Sequence, residues 1–189
     1  TPDYVPVFPR DHGSHPEHGI EWWDWVGHLN AVDSGKKFGF QSTIFRLAGD
    51  PEKSGVTQSE PFGNQNLFLV HTALSDFEEE KYIHHERVMR EGWQARSSEK
   101  TLSLTVGGVK VNLLEEEDGH KVVTRYPDGA KLELTFKPTK PLVSFGDRGL
   151  SRKGADPASV SWYWSYTRLQ AKGTLFKNGE EIAVEGIAW

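Results

Sequence analysis

The sequence contains no cysteine. That excludes disulfides, thiolate metal sites and cysteine nucleophiles, and leaves the redox compartment open. Long apolar runs are missing as well. No stretch approaches the roughly 20 residues of a membrane helix, so no transmembrane segment is expected. Charge of one sign never accumulates: 22 basic and 27 acidic residues are interspersed and the net charge is −5. Without a basic stripe, nucleic acid is excluded as a partner. There is no phosphate-binding glycine loop and no G-x-S-x-G elbow, which removes nucleotide chemistry and the serine hydrolases. Helical periodicity is scarce. No signal-peptide pattern is present, but a start at Thr1 rather than Met reads as a trimmed mature form. An exported, periplasmic location is accordingly favoured over the cytoplasm.

What is present is aromatic weight and a regular supply of turns. The 189 residues include 7 Trp and 10 Phe, and a chain of this length buries roughly 70% of its unfolded surface, enough for a substantial core. Gly107-Gly108, Asp118-Gly119, Pro127-Asp128-Gly129 and Asn178-Gly179 each separate two strand-like runs. Such pairs supply the positive φ angles of tight hairpins. "KLELTF" alternates polar and apolar residues as a strand with one wet face does. Strands are predicted over 20–29, 37–46, 66–75, 81–90, 101–106, 109–114, 120–126, 130–136, 161–170, 172–177 and 181–188, which argues for an all-β antiparallel sandwich or barrel. The stretches 48–65 and 137–159 are long for structureless connections and are candidate lids or mouth loops. No internal repeat or interdomain linker is visible, so residues 1–189 read as one domain with an N-terminal loop over 1–19.

The stretch "DHGSHPEHGIEWWDWVGHL" concentrates the chemistry. His12, His15 and His18 lie three apart, but Gly13, Pro16 and Gly19 between them argue against a helix that would align them. No fixed partner nearby completes a zinc set, so a hydrogen-bonded loop is the expectation and no metal is assigned. His84-His85 is weaker still, because neighbouring strand residues face opposite sides. A period of two puts Glu21, Trp23, Trp25 and Leu29 on one face of the first strand and Trp22, Asp24, Val26 and His28 on the other. The same period in "SWYWSYTRL" groups Trp162, Trp164, Tyr166 and Arg168 against Tyr163, Ser165 and Thr167. These rings form either a packed core or the lining of a cavity for an extended apolar ligand. Glu21, Asp24, Gln41, Arg46, His71, Glu86, Arg87 and Arg168 sit inside strand-like runs. Glu21 or Glu86 paired with Arg46 or Arg168 would be a structural strut, since a buried charge is costly unless paired. An unpaired Asp or Glu in an apolar cavity would instead have a raised pKa and could donate a proton.

Read in order, "FPRDHGSHPEHGIEWWDWVGHL", "KFGFQSTIFRL", "NLFLVHTALSDFEEEKYIHHERVMREG", "KPLVSFGDRGLSRKG" and "SWYWSYTRLQAKGTLFKNGEEIAVEGIAW" resemble successive blocks of the AttH / carotenoid 1,2-hydratase (CrtC-like) family. The resemblance implies a lipocalin-like (calycin) antiparallel β-barrel, the first of a tandem pair, with the second barrel absent from this chain. In the family the closing G-x-A-W is followed by a stretch like M-D-H-E-W, and Asp24 stands where relatives often carry Tyr. Members hydrate a terminal isoprenoid double bond of a carotenoid, hydrate prenylated phenols or assist pericyclic cyclisations. The resemblance therefore implies a cofactor-free hydratase or cyclase acting on an isoprenoid or other apolar small molecule. Glu21, Asp24 and His71 are the expected catalytic groups. Trp23, Trp25, Gln41, Arg46, Trp162, Trp164, Tyr166 and Arg168 are the expected ligand-binding residues. The alternative is a non-catalytic lipid-binding module, exported and attached to a transport system.

Overall fold

The computed structural model describes residues 4–49, 66–114, 119–157 and 159–189. Gly19 ends the Pro/Gly-broken lead-in, and β1 (Ile20–Ala31) begins directly after it. It is followed by β2 (Lys37–Leu47), β3 (Leu67–Asp76), β4 (Lys81–Arg90), β5 (Ala95–Ser97), β6 (Ser103–Val106), β7 (Val109–Leu113), β8 (His120–Arg125) and β9 (Lys131–Pro138). Four short pieces come next: β10 (Val143–Ser144), β11 (Leu150–Arg152), β12 (Val160–Trp162) and β13 (Trp164–Ser165). Two long strands, β14 (Leu169–Lys177) and β15 (Glu180–Ala188), complete the described chain. The turn glycines do what the sequence predicts. Asn178 and Gly179 both have positive φ (54° and 81°), as do Gly107 and Gly108 (58° and 122°), the geometry that matches the twist of a two-residue hairpin.

Among the described residues, eleven strands form one sheet in the order β4-β3-β2-β1-β15-β14-β9-β8-β7-β6-β5. Every neighbouring pair is antiparallel. Strands far apart in that order meet through their inner faces, so the sheet is rolled into a nearly closed barrel. Ser42 Oγ lies 2.7 Å from Thr124 Oγ1, and the Tyr126 hydroxyl donates to the Ala73 carbonyl at 3.2 Å. Two close backbone approaches let the sheet coil. A Cβ on Gly173 would lie 1.8 Å from Glu133 O, and one on Gly186 2.0 Å from His28 O.

The core follows the period of two. Phe38, Phe40 and Ile44 of β2, Phe68, Val70 and Leu74 of β3, and Leu132, Leu134 and Phe136 of β9 are buried within it. The last three are the apolar positions of "KLELTF", as alternation predicts. At the rim, Lys177 Nζ lies 2.5 Å from Asp76 Oδ2 and 2.8 Å from Glu79 Oε2. This ties the end of β3 to the end of β14.

Three expectations change. The run 161–170 is not one strand: it breaks into β12 and β13, and β14 runs unbroken from Leu169 through the predicted 172–177 strand. The segment 137–159 is not structureless. It doubles back so that Val143 and Ser144 pair with Ser165 and Trp164, while Leu150, Ser151 and Arg152 pair with Trp162, Ser161 and Val160. A tight turn with Arg148 and Gly149 at positive φ (53° and 101°) makes the reversal. β5, three residues long, was too short to be signalled by alternation, and β6 starts later than 101. The 48–65 stretch and Asp118 fall largely outside the described residues.

Candidate functional site

The N-terminal loop is built around a chain of charges. Buried Asp11 accepts hydrogen bonds from the Tyr4 hydroxyl (2.6 Å), the Val7 amide (2.6 Å) and Arg10 Nη1 (2.7 Å), and lies 3.1 Å from His15 Nε2. Burial pushes its carboxyl up, but these bonds outweigh it and hold it well below the usual carboxylate range. On the other side of the ring, His15 Nδ1 is 2.8 Å from Glu21 Oε1, which also accepts from the His15 amide. Glu21 Oε2 accepts from Arg46 Nε at 2.7 Å. Arg46 Nη2 then donates to the carbonyls of His15 (2.8 Å) and His18 (2.7 Å). One guanidinium thus ties β2 to β1 and holds the loop down. Among the struts the sequence allowed, Glu21–Arg46 is the one formed.

His15 lies between two carboxylates. The hydrogen bond to Glu21 raises its pKa above 6.5, with a further contribution from Asp11, against the opposing effect of burial. Because the folded value is the higher one, the stabilisation is fully present below the unfolded imidazole value of about 6.5 and is lost as pH rises through the folded value. Resistance of the wild type to urea unfolding is therefore expected to fall as pH rises from 6 towards 9. In His15→Gln this slope should be absent. An identical slope in the two proteins would remove His15 as the source. His15, His18 and Glu21 place ligand atoms within 4.8 Å of one another, but both His15 ring nitrogens already face carboxylates and Arg46 already supplies positive charge to Glu21.

A cleft of about 650 Å³ opens beside this network. Its position follows from strand pairing. β15 pairs with β1 only over Gly27–Ala31, extended by one reciprocal bond pair between Val26 and Trp189 (2.9 and 2.8 Å). Along Ile20–Trp25, that side of β1 has no strand partner among the described residues. The cleft straddles this edge, so residues from both faces of β1 line it. The N-terminal loop and the ribbon segment 142–166 supply the opposite walls.

Aromatic rings are fixed around it. Trp23 Nε1 donates to the His12 carbonyl at 3.0 Å, and Trp25 Nε1 to His120 Nε2 at 2.7 Å. Trp22 packs against Tyr163 with ring centroids 5.9 Å apart, and Lys153 Nζ sits 4.7 Å from the Tyr163 centroid. Trp162 packs against Tyr4, Trp164 against Phe8 and Tyr166 against His12. Two of the lining acids, Glu17 of the loop and Asp24 of β1, belong to no ion pair among the described residues, and of these Asp24 is the one on a strand beside the rings. It sits on the outer face of β1 opposite Thr43, whose hydroxyl donates to it, while Gln41 Nε2 donates to the same Thr43 hydroxyl at 2.9 Å. Asp24 is an exposed residue, but the protein packed around its carboxyl desolvates it and raises its pKa. The Thr43 bond opposes that shift only in part.

The AttH-like family profile matches residues 1–189. The chain belongs to the AttH-like family. An AttH crystal structure from Nitrosomonas europaea is similar over 100% of this chain and 55% of its own, at 30% identity and a TM-score of 0.82. Kievitone hydratase from Nectria haematococca is similar over 96% of this chain and 50% of its own, at 15% identity and a TM-score of 0.61. At that identity the likeness concerns the fold. This chain spans about half the length of both solved structures. No curated protein matches the sequence.

Within this AttH-like barrel, the predicted site residues separate into groups. Glu21, Trp23, Asp24, Trp25, Trp162, Trp164 and Tyr166 all line the cleft. Arg46 stands behind Glu21, and Gln41 reaches Asp24 through Thr43. His71 and Arg168 are not brought there. His71 lies on the outer face of β3, opposite Thr43 on one side and Glu86 on the other. Arg168 is exposed just before β14, where its carbonyl accepts from the Thr139 amide at 3.0 Å. Sequence reasoning missed Asp11, Tyr163 and His120. Alternation held the signal for His120, since "HKVVT" puts it in the inward row with Val122 and Thr124.

Proposed function

We propose that the cleft binds an apolar, unsaturated small molecule of isoprenoid type and adds water across its double bond, with Asp24 as proton donor. The observation that carries this reading is a carboxyl in an aromatic wall whose pKa is raised by desolvation, hydrogen-bonded by Thr43 and with no ion pair among the described residues. A carboxylic acid so placed is a general acid. Its proton goes to the less substituted alkene carbon and leaves a tertiary carbocation. Tryptophan faces stabilise such a cation. Water attacks the cation and returns its extra proton to the Asp24 carboxylate, so substrate plus water balances product and the acid is regenerated. Glu21 is held by Arg46 and His15 and serves this reading as a positioning residue for the wall. Kievitone hydratase, which shares the fold, is consistent with hydration on this scaffold. The second lipocalin-like barrel expected from the resemblance remains part of the reading as this domain's partner.

Binding is tested apart from turnover. Titration with a prenylated phenol or an acyclic carotenoid should quench tryptophan emission saturably, and Asp24→Asn should retain the quenching. Absence of quenching with every prenyl compound tried would remove the reading. Quenching in a protein that yields no hydrated product would favour a ligand-binding module.

A further inference from the structure

A second constellation lies outside the cleft, on the outer face of the β3–β4 hairpin. The register places His71 directly opposite Glu86 and Ala73 opposite His84. His84 and Glu86, two residues apart on β4, share a face, and His71 meets both from the neighbouring strand. One ligand atom from each of the three lies within 4.8 Å of the others. His71 Nε2 and Glu86 Oε2 are 3.2 Å apart, yet this buried Nε2 makes no hydrogen bond among the described residues. Two donors on one tetrahedral zinc ion, at about 2.0–2.2 Å from the metal, lie roughly 3.3–3.6 Å apart. The pair already stands close to that separation, with a nitrogen that faces the carboxylate but makes no hydrogen bond among the described residues.

The rings are held from outside. The Phe45 edge meets His71 with centroids 5.9 Å apart, and Tyr82 stacks on His84 at 6.3 Å with 13° between planes. The positive side chain of β4 nearest in sequence, Arg87, belongs to the opposite row, facing Val70. The nearest β2 neighbours on this face are Gln41, Thr43 and Phe45. The contrast with the N-terminal cluster is direct. There, Arg46 and His15 already neutralise Glu21. Here two imidazoles and one carboxylate converge with no lysine or arginine bonded to them among the described residues.

We infer that His71, His84 and Glu86 form a surface binding site for a divalent transition-metal cation of the zinc class, with three protein ligands and solvent completing the coordination. Two imidazoles with a carboxylate form a donor set that suits zinc and its neighbours. Because His84 and Glu86 lie on the edge strand β4 and His71 on β3, the ion would tie the sheet's last two strands together.

The chelator-treated intact protein is titrated with Zn²⁺ by calorimetry, and with Co²⁺ for its visible absorption. One equivalent should bind, and Co²⁺ should develop the bands of an imidazole-ligated site. His84→Ala and Glu86→Gln, both exposed positions whose folding is checked by circular dichroism, should each weaken Zn²⁺ binding at least ten-fold. His18→Ala, in the N-terminal cluster, should leave it unchanged. Absence of binding in the wild type would overturn the inference. So would binding that survives in both His84→Ala and Glu86→Gln, or that disappears in His18→Ala. None of these outcomes depends on turnover in the cleft, so the two proposals fail separately.

Discussion

Arg46→Met is expected to destabilise the protein by about 3–5 kcal/mol, the cost of removing one partner of a buried ion pair. Arg46 is 2% exposed, so solvent screening discounts little of this. Its loss would take the guanidinium from Glu21 Oε2, leaving that carboxylate its bonds to His15, and would leave the carbonyls of His15 and His18 without their guanidinium donor. Methionine fills much of the same volume, so the effect is electrostatic and not a cavity. Two measurements check it. Urea unfolding should show a lower midpoint with a similar slope, and limited proteolysis should cut within residues 1–19 faster than in the wild type. Adding Glu21→Gln should recover part of the loss, because the larger share is the penalty of an unpaired charge. A double variant no more stable than Arg46→Met would contradict that assignment.

The second large effect is on chemistry. Asp24→Asn should lower turnover of a prenyl substrate by about 10²–10⁴-fold, the usual contribution of a positioned general acid. Its stability should change little, since Thr43 is the one side chain bonded to Asp24 among the described residues and Asp24 lines the cleft. The pH dependence has a definite sign. The protonated form is the active one, so turnover should fall as pH rises through the Asp24 pKa, which desolvation places above the usual carboxylate value. That limb should vanish from whatever activity the Asn variant keeps. Equal turnover in the two proteins would assign the proton to another group.

Much of the architecture was legible because local rules suffice for hairpins. Asn178-Gly179 and Gly107-Gly108 can turn only where φ is positive, and "KLELTF" alternates cleanly. The ribbon segment was not legible for the opposite reason. "SWYWSYTRL" alternates like a strand, but its partners are two- and three-residue pieces of 143–152, and pairing that short leaves no periodic trace. In the site, Glu21, Asp24, Trp23 and Trp25 were readable because one strand, β1, carries them. His71 was not. β3 has apolar residues in both rows, with Phe68, Val70 and Leu74 inside and Leu67, Leu69 and Ala73 outside. Its pattern therefore does not reveal which row faces the core. The face was settled by pairing with β2, which also brought His71 to Glu86 and His84. The charge chain of Asp11, His15, Glu21 and Arg46 was half visible: Glu21–Arg46 was one of several struts the sequence allowed, but the histidine bridging two carboxylates needs a loop geometry that spacing alone does not encode.

The central claim is that water is added across a substrate double bond in the cleft with Asp24 supplying the proton. It is tested most directly by turnover of a prenylated phenol in H₂¹⁸O, followed by mass spectrometry. The account predicts a tertiary alcohol carrying one ¹⁸O in the wild-type reaction and almost none with Asp24→Asn. Binding of the same compound without any labelled alcohol, or equal labelling by both proteins, would contradict it.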